Sequence, residues 1–189
     1  MAAAASWASV AVTLLLGLVG VVIARNIRRD VRLKVAERRL RAYESLWAKT
    51  TPTSPYHEPL NDHGRSALHQ ELTSWYYANG DGLLLESVTK NVYLAAKDNL
   101  IRPVEEIVPV LTRRRLLRLS GDELERQRGL LARRQFSLLR TQLKSDLAVY
   151  GRPYGPLIDD EDAAFLTECG VNVRRKPWRS ARVRGSNQG

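Results

Sequence analysis

The sequence predicts an all-α protein: one N-terminal transmembrane helix continuing into a cytoplasmic helical bundle, then a basic, disordered C-terminal tail. Residues 5–24 form an uncharged, mostly apolar run. Apolar residues then recur every three or four positions in segment after segment, with no pair of alternating strands. Charge is segregated as well. The 189 residues hold 30 Lys or Arg and 20 Asp or Glu, a net of +10, yet residues 25–49 and 170–189 carry +6 each and residues 50–169 carry −2. A near-neutral middle argues against a nucleic-acid-binding core. The single cysteine, Cys169, excludes an intramolecular disulfide framework and a multi-cysteine zinc site.

Within the first segment, 1–24, the 20-residue run 5–24 spans about 30 Å as a helix, the thickness of a bilayer core. Lipid gives a backbone no hydrogen-bond partner, so a helix is the expected form. Trp7 falls where an interfacial aromatic belongs, and Arg25 marks the other edge. A cleaved signal peptide is the competing reading, but it needs a basic leader, and residues 1–6 hold no Lys or Arg. No Lys or Arg precedes the run and nine follow within 25 residues. Positive charge stays inside, so the N-terminus is expected outside the inner (plasma) membrane and residues 25–189 in the cytoplasm. Arg25, Arg28, Arg29 and Arg32 lie within reach of anionic phospholipid headgroups, each contributing about 1 kcal/mol of attraction.

Residues 25–50 continue as a basic amphipathic helix. Ile27, Val31, Val35 or Ala36, Leu40, Tyr43 and Trp47 make one stripe, with no Gly or Pro before Pro52. Beyond the headgroups such a stripe needs a protein partner or a second copy of itself. Residues 51–61, with three prolines, form a loop. The helical domain, 62–170, follows. Asp62 is placed to cap a helix over 62–79 with Leu68, Leu72, Trp75 and Tyr76 inward, stopping at Gly80. Leu83, Leu84 and Leu85 read as a buried extended link or a short strand. Ser87 opens a helix to about residue 102 with Val88, Val92, Ala96 and Leu100 inward, and a further helix covers 110–119. Ser-Gly-Asp-Glu at 120–123 reads as a capping box. It opens the longest cytoplasmic helix, to about residue 150, with Leu124, Leu131, Phe136, Leu139, Leu143 and Leu147 as its core stripe. Gly151, Pro153 and Gly155 end it, and Asp159 or Asp160 starts a short helix carrying Phe165 and Leu166. From 171 to 189 the chain is basic and poor in apolar side chains, so disorder is expected.

Few motifs carry chemistry. Ser87-Val-Thr-Lys90 matches Ser-x-x-Lys, but the Ser-x-Asn and Lys-Thr-Gly companions of penicillin-recognising enzymes are missing. His63 and His69 are six apart and cannot share a helix face. No phosphate-binding Gly-x-x-x-x-Gly-Lys-Ser/Thr occurs. Trp75, Tyr76 and Tyr77, beside Gly80 and Gly82, form either the packing knot of the domain or the wall of a ligand pocket. The arginines at 113–115, 118, 126, 128, 133 and 134 give two helices basic faces, solvated or docked on anionic lipid. No catalytic group, cofactor or metal is expected.

Arg41-Ala-Tyr-Glu-Ser-Leu-Trp47, the Trp75-Tyr-Tyr77 segment with Gly80 and Gly82-Leu-Leu-Leu, and Leu139-Arg-Thr-Gln-Leu-Lys-Ser-Asp-Leu147 together resemble small single-pass membrane proteins of high-GC bacteria. The excess of Arg over Lys fits such a genome. The resemblance covers about residues 25–150 and implies no activity. The function expected is therefore a membrane-tethered helical interaction or scaffold module, with the bilayer, anionic headgroups and a protein partner or second copy as its partners. The alternatives are a membrane-surface sensor or enzyme with a pocket near Trp75–Tyr77, and a tail that binds anionic lipid or nucleic acid. Nucleic acid is not an expected partner of the folded part.

Overall fold

The structure is a computed structural model that describes residues 2–78, 80–147, 157–175 and 177–180, without side chains at 2–22, 24, 157, 179 and 180. Six α-helices dominate it: α1 (Ala2–Lys49), α2 (Asp62–Ala78), α3 (Ser87–Asn99), α4 (Val110–Leu116), α5 (Gly121–Asp146) and α6 (Asp160–Glu168). Short 3-10 turns at Thr51–Thr53, Asp81–Leu84 and Val104–Glu106 connect them. The only extended pairing among the described residues is a two-residue parallel contact of β1 (Leu157–Ile158) with β2 (Arg179–Ser180). The chain divides into two units, residues 1–41 and 42–189.

The first unit is helix throughout its described length, with no proline to break it. Among the described residues no helix is long and apolar enough to cross a membrane. The proposed span, 5–24, and Trp7 with it, lie outside the residues whose side chains are described, Ile23 excepted.

The second unit is a helical bundle. Ala42, Tyr43 and Leu46 from the end of α1, Leu68, Leu72 and Trp75 from α2, Val92, Tyr93 and Ala96 from α3 and Phe136, Leu139 and Leu143 from α5 share one buried core. The three- and four-residue spacing on each helix puts these side chains on one face. Burying each contributes about 1.5–3 kcal/mol. Ile107, Leu116 and Leu131 form a smaller core beside it.

Helix ends differ from the expected ones where local chemistry offers two solutions. Asn61, not Asp62, caps α2, its Oδ1 accepting from the Gly64 amide at 2.8 Å. Asp62 is then free to accept from Arg65 Nη2 at 3.0 Å. Ser120 holds the N-cap position of α5, but its hydroxyl makes no cap bond. Glu123 turns instead to Arg126 and Gln127, so no capping box forms. Asp159 caps α6 as expected, accepting from the Asp162 amide at 2.9 Å. The tri-leucine run is not extended: Asp81–Leu84 is a 3-10 turn that leaves Leu83 in solvent and turns Leu85 inward. The ending of α5 expected at 148–155 lies outside the described residues.

The tail departs from expectation too. Val171 and Trp178 are buried, and the Trp178 indole N–H donates to Gln142 Oε1 at 3.2 Å. The chain therefore packs onto the bundle as far as Trp178, and of the expected disordered stretch 176 and 181–189 lie outside the described residues.

Candidate functional site

The stripe at 27–47 is built from one helix but meets two environments. In the first unit Ile27, Val31, Val35 and Leu40 are each 44–57% exposed, with Ile23 and Leu33 similarly so. Among the described residues of this unit, no apolar side chain covers them. Arg25, Arg28, Arg29 and Arg32 are exposed alongside them. In the second unit Tyr43 is absorbed by the core at 2% exposure, and its hydroxyl donates to Asp146 Oδ2 at 2.9 Å. The same carboxylate accepts from Thr89 Oγ1 at 2.6 Å and from Gln142 Nε2 at 3.1 Å. Tyr43 is thus a strut of the fold, and the seam open to a partner ends at Leu40.

Trp47, the last member of the stripe, stands at the bundle surface between two adjoining grooves. One, of about 430 Å³, is mostly apolar: Tyr43, Ala48, Leu143 and Leu147 line it with the Trp47 ring, Glu44, Thr51 and Lys144. The other, of about 410 Å³, has Arg140 and Lys144, a set of hydroxyls (Thr51, Ser54, Tyr56, Ser137 and Thr141) and no acidic residue in its wall. Arg140 and Lys144 lie one turn apart on α5 and both face the indole, at 5.9 and 4.9 Å from its centre. Arg140 donates to Thr50 O at 2.9 Å and Thr53 Oγ1 at 3.1 Å. Burial pushes its pKa down, because nothing negative offsets the desolvated charge. Among the described residues neither Arg140 nor Lys144 has a carboxylate partner.

Trp75, Tyr76 and Tyr77 pack rather than line a cavity. Trp75 is 2% exposed, while Tyr77 is 71% exposed. The Tyr76 ring stacks on Tyr93 at 5.5 Å and 11°, and Trp75 meets the same ring tilted at 5.5 Å. Gly82 lies directly beneath Tyr76, where a Cβ would come within 2.5 Å of the ring. Gly80 reverses the chain with φ +67°, a left-handed conformation that favours glycine. Both glycines thus serve to press the turn against the aromatic knot.

Most of the α4 and α5 arginines are used by the fold. Arg134 reaches Asp159, Glu161 and Asp162 at the start of α6. Burial works against its charge, but the three acids outweigh burial and raise its pKa. Arg115 joins the same group through Glu161 at 3.1 Å. Arg128 donates to Leu100 O and Arg102 O, Arg133 to His57 O, and Arg126 pairs with Glu123. The continuous basic face read from the sequence is therefore largely a set of internal ties. Lys97, nearly buried, pairs with Asp98 at 2.8 Å and donates to His69 Nε2 at 3.3 Å. Burial first, and then Lys97, lower the His69 pKa, so the ring is the neutral acceptor. His63 is exposed and apart from it. Among the described residues no group of three His, Cys, Asp or Glu is placed to hold a metal ion.

Sequence reasoning passed over Arg65, the most buried charge of the bundle at 1% exposure. It donates to Leu100 O and Leu60 O and pairs with Asp62 and Glu125 at 3.0 and 2.9 Å. An arginine three residues after an acid on an otherwise apolar helix face was the available signal. The grooves at Trp47 gave no signal, because their walls come from segments about 90 residues apart. Compared with known protein families, curated proteins and solved structures, the chain matches none.

Proposed function

We propose that this protein is a single-pass, membrane-tethered helical interaction module. On this reading residues 5–24 anchor it in the inner membrane with the N-terminus outside, and the helical units act in the cytoplasm. The observation that carries it is the row of half-exposed aliphatic side chains at Ile27, Val31, Val35 and Leu40 on α1. Covering a half-exposed aliphatic side chain contributes about 1 kcal/mol, and tethering two copies in one membrane raises their effective concentration. A second copy, seated along the same stripe, is the simplest partner, because a helix can present an apolar row to its own copy in register. The uncharged run and the charge asymmetry around it support the anchor and its orientation.

A photocrosslinking residue placed at Val31 of the full chain in native membranes tests this. A covalent dimer is expected, and it should fall at least tenfold when Ile27 and Leu40 are changed to Glu. A strictly monomeric chain at every expression level contradicts self-docking. No specific observation favours the alternative of a ligand pocket at Trp75–Tyr77, where the rings fill the space between themselves and Gly82.

A further inference from the structure

We propose that the two grooves flanking Trp47 form one binding site for an anionic amphiphile carrying a single acyl chain and a phosphate-type headgroup. The inference is independent of the seam on α1.

The grooves share Trp47, Thr51 and Lys144, so they adjoin along the edge of one indole. Each lies within the range of about 300–1,000 Å³ typical of small-molecule sites. Their chemistry differs in the way the two ends of an amphiphile differ. The first offers Leu143, Leu147, Ala48 and the ring of Tyr43, a surface that gains by shedding water onto a hydrocarbon chain. The second offers two cations and several hydroxyl donors with no carboxylate among its lining residues. Half-buried positive charge without a counter-charge is costly, and a phosphate provides both the charge and acceptors for the guanidinium and ammonium donors. Thr51, Ser54, Tyr56 and Thr141 add neutral donors around the same space. Glu44, in the wall of the apolar groove, leaves a net positive pair of grooves. A neutral apolar ligand would leave Arg140 and Lys144 unsatisfied, and a bare phosphate would leave the apolar groove wet. Only a ligand with both parts uses both grooves.

Arg140 is held by Thr50 O and Thr53 Oγ1, and its position is fixed before any ligand arrives. Among the described residues Lys144 is held by its approach to the indole alone, which leaves its ammonium able to reach a headgroup.

The test uses the full chain with Trp7→Phe, to remove the proposed membrane tryptophan, in nanodiscs of phosphatidylcholine. A lysophosphatidate with a brominated chain is titrated while tryptophan fluorescence is followed. Saturable quenching is expected, and Trp47→Phe should abolish most of it, since Trp75 and Trp178 are buried in the bundle core. Lys144→Glu should weaken binding at least tenfold, and a monoacylglycerol with the same brominated chain should bind at least tenfold more weakly than the phosphate. Ala48→Phe, at an exposed helix position in the apolar groove, should also weaken binding at least tenfold. Glycerol 3-phosphate should compete only at concentrations at least a hundredfold higher. Quenching that is equal for the neutral and phosphate amphiphiles, or unchanged by Lys144→Glu, overturns the proposal. So does competition by glycerol 3-phosphate at the same concentration as the amphiphile. The head-group comparison needs no variant and holds even if a substitution fails to fold.

Discussion

At Gly129, in the interior of α5, helix propensity and packing point in opposite directions. Alanine is favoured over glycine by about 1 kcal/mol in a helix interior. But a Cβ here would sit 2.6 Å from Leu60 O and 2.9 Å from Leu60 N, backbone atoms that cannot rotate away. Gly129→Ala is therefore expected to lower stability by about 1–3 kcal/mol in equilibrium urea unfolding; a gain in stability would mean that the 59–60 loop does not cross α5 at this point. Nothing around Gly129 in the sequence announces this, because its partner is about 70 residues away. Cys169 has no His, Lys or Arg beside it in the sequence to activate a thiolate. The structure buries it, and burial, with Glu168 adding to it, pushes its pKa up to about 12. Burial likewise raises the Tyr93 pKa. In both cases the folded state holds its proton more tightly than the unfolded chain. Their contribution is thus fully present below the unfolded pKa, about 9 for the thiol, and is lost as pH rises from there toward the folded value. The urea midpoint should fall steadily from about pH 9 to pH 11, and Cys169→Ala should flatten the early part of that fall. A midpoint constant over this range would contradict the burial of both groups.

Elements were read well where their signal was local and poorly where a distant partner set it. Spacing of Leu68, Leu72 and Trp75, or of Phe136, Leu139 and Leu143, located α2 and α5 because a helix buries one face whatever it packs on. Their ends depended on which of two adjacent polar residues the rest of the bundle employed. Asp62 left the cap to Asn61 because Arg65 needed its carboxylate. Arg65→Ala should then cost about 2–3 kcal/mol in urea unfolding, since it empties a fully buried position and takes the donor from Leu60 O, while the exposed Asp62 and Glu125 rehydrate. The α5–α6 junction rests on Arg134, whose three carboxylate partners are spread over the first turn of α6. Arg134→Gln is expected to cost about 1–2 kcal/mol, a modest value because the group is about a third exposed, its partner Asp159 more so, and both are screened by solvent. Hydrogen exchange should show the loss in α6 before it shows in α3; uniform loss across the bundle would argue against a local clamp.

For the molecule as a whole, charge arithmetic described the ends correctly as basic but took the second of them for free chain. The contacts that tie it down, Val171 and Trp178 in the bundle core with the Trp178 indole donating to Gln142, are a few scattered residues in a basic stretch and have no periodicity to reveal them. Trp178→Ala should therefore cost about 3–5 kcal/mol, more than any surface change nearby, as read from thermal or urea unfolding of the full chain. The open stripe on α1 and the Trp47 grooves lie on separate units, and each gains meaning from the tether proposed at residues 5–24. Whether that tether exists is decided by extraction and protease access in cells expressing the full chain. The account predicts that the protein stays in the membrane pellet through alkaline carbonate washing. Protease added to intact spheroplasts should then spare residues 42–180, and protease added to inverted vesicles should cut them. Release into the carbonate supernatant, or digestion of that region from outside the spheroplasts, would contradict it.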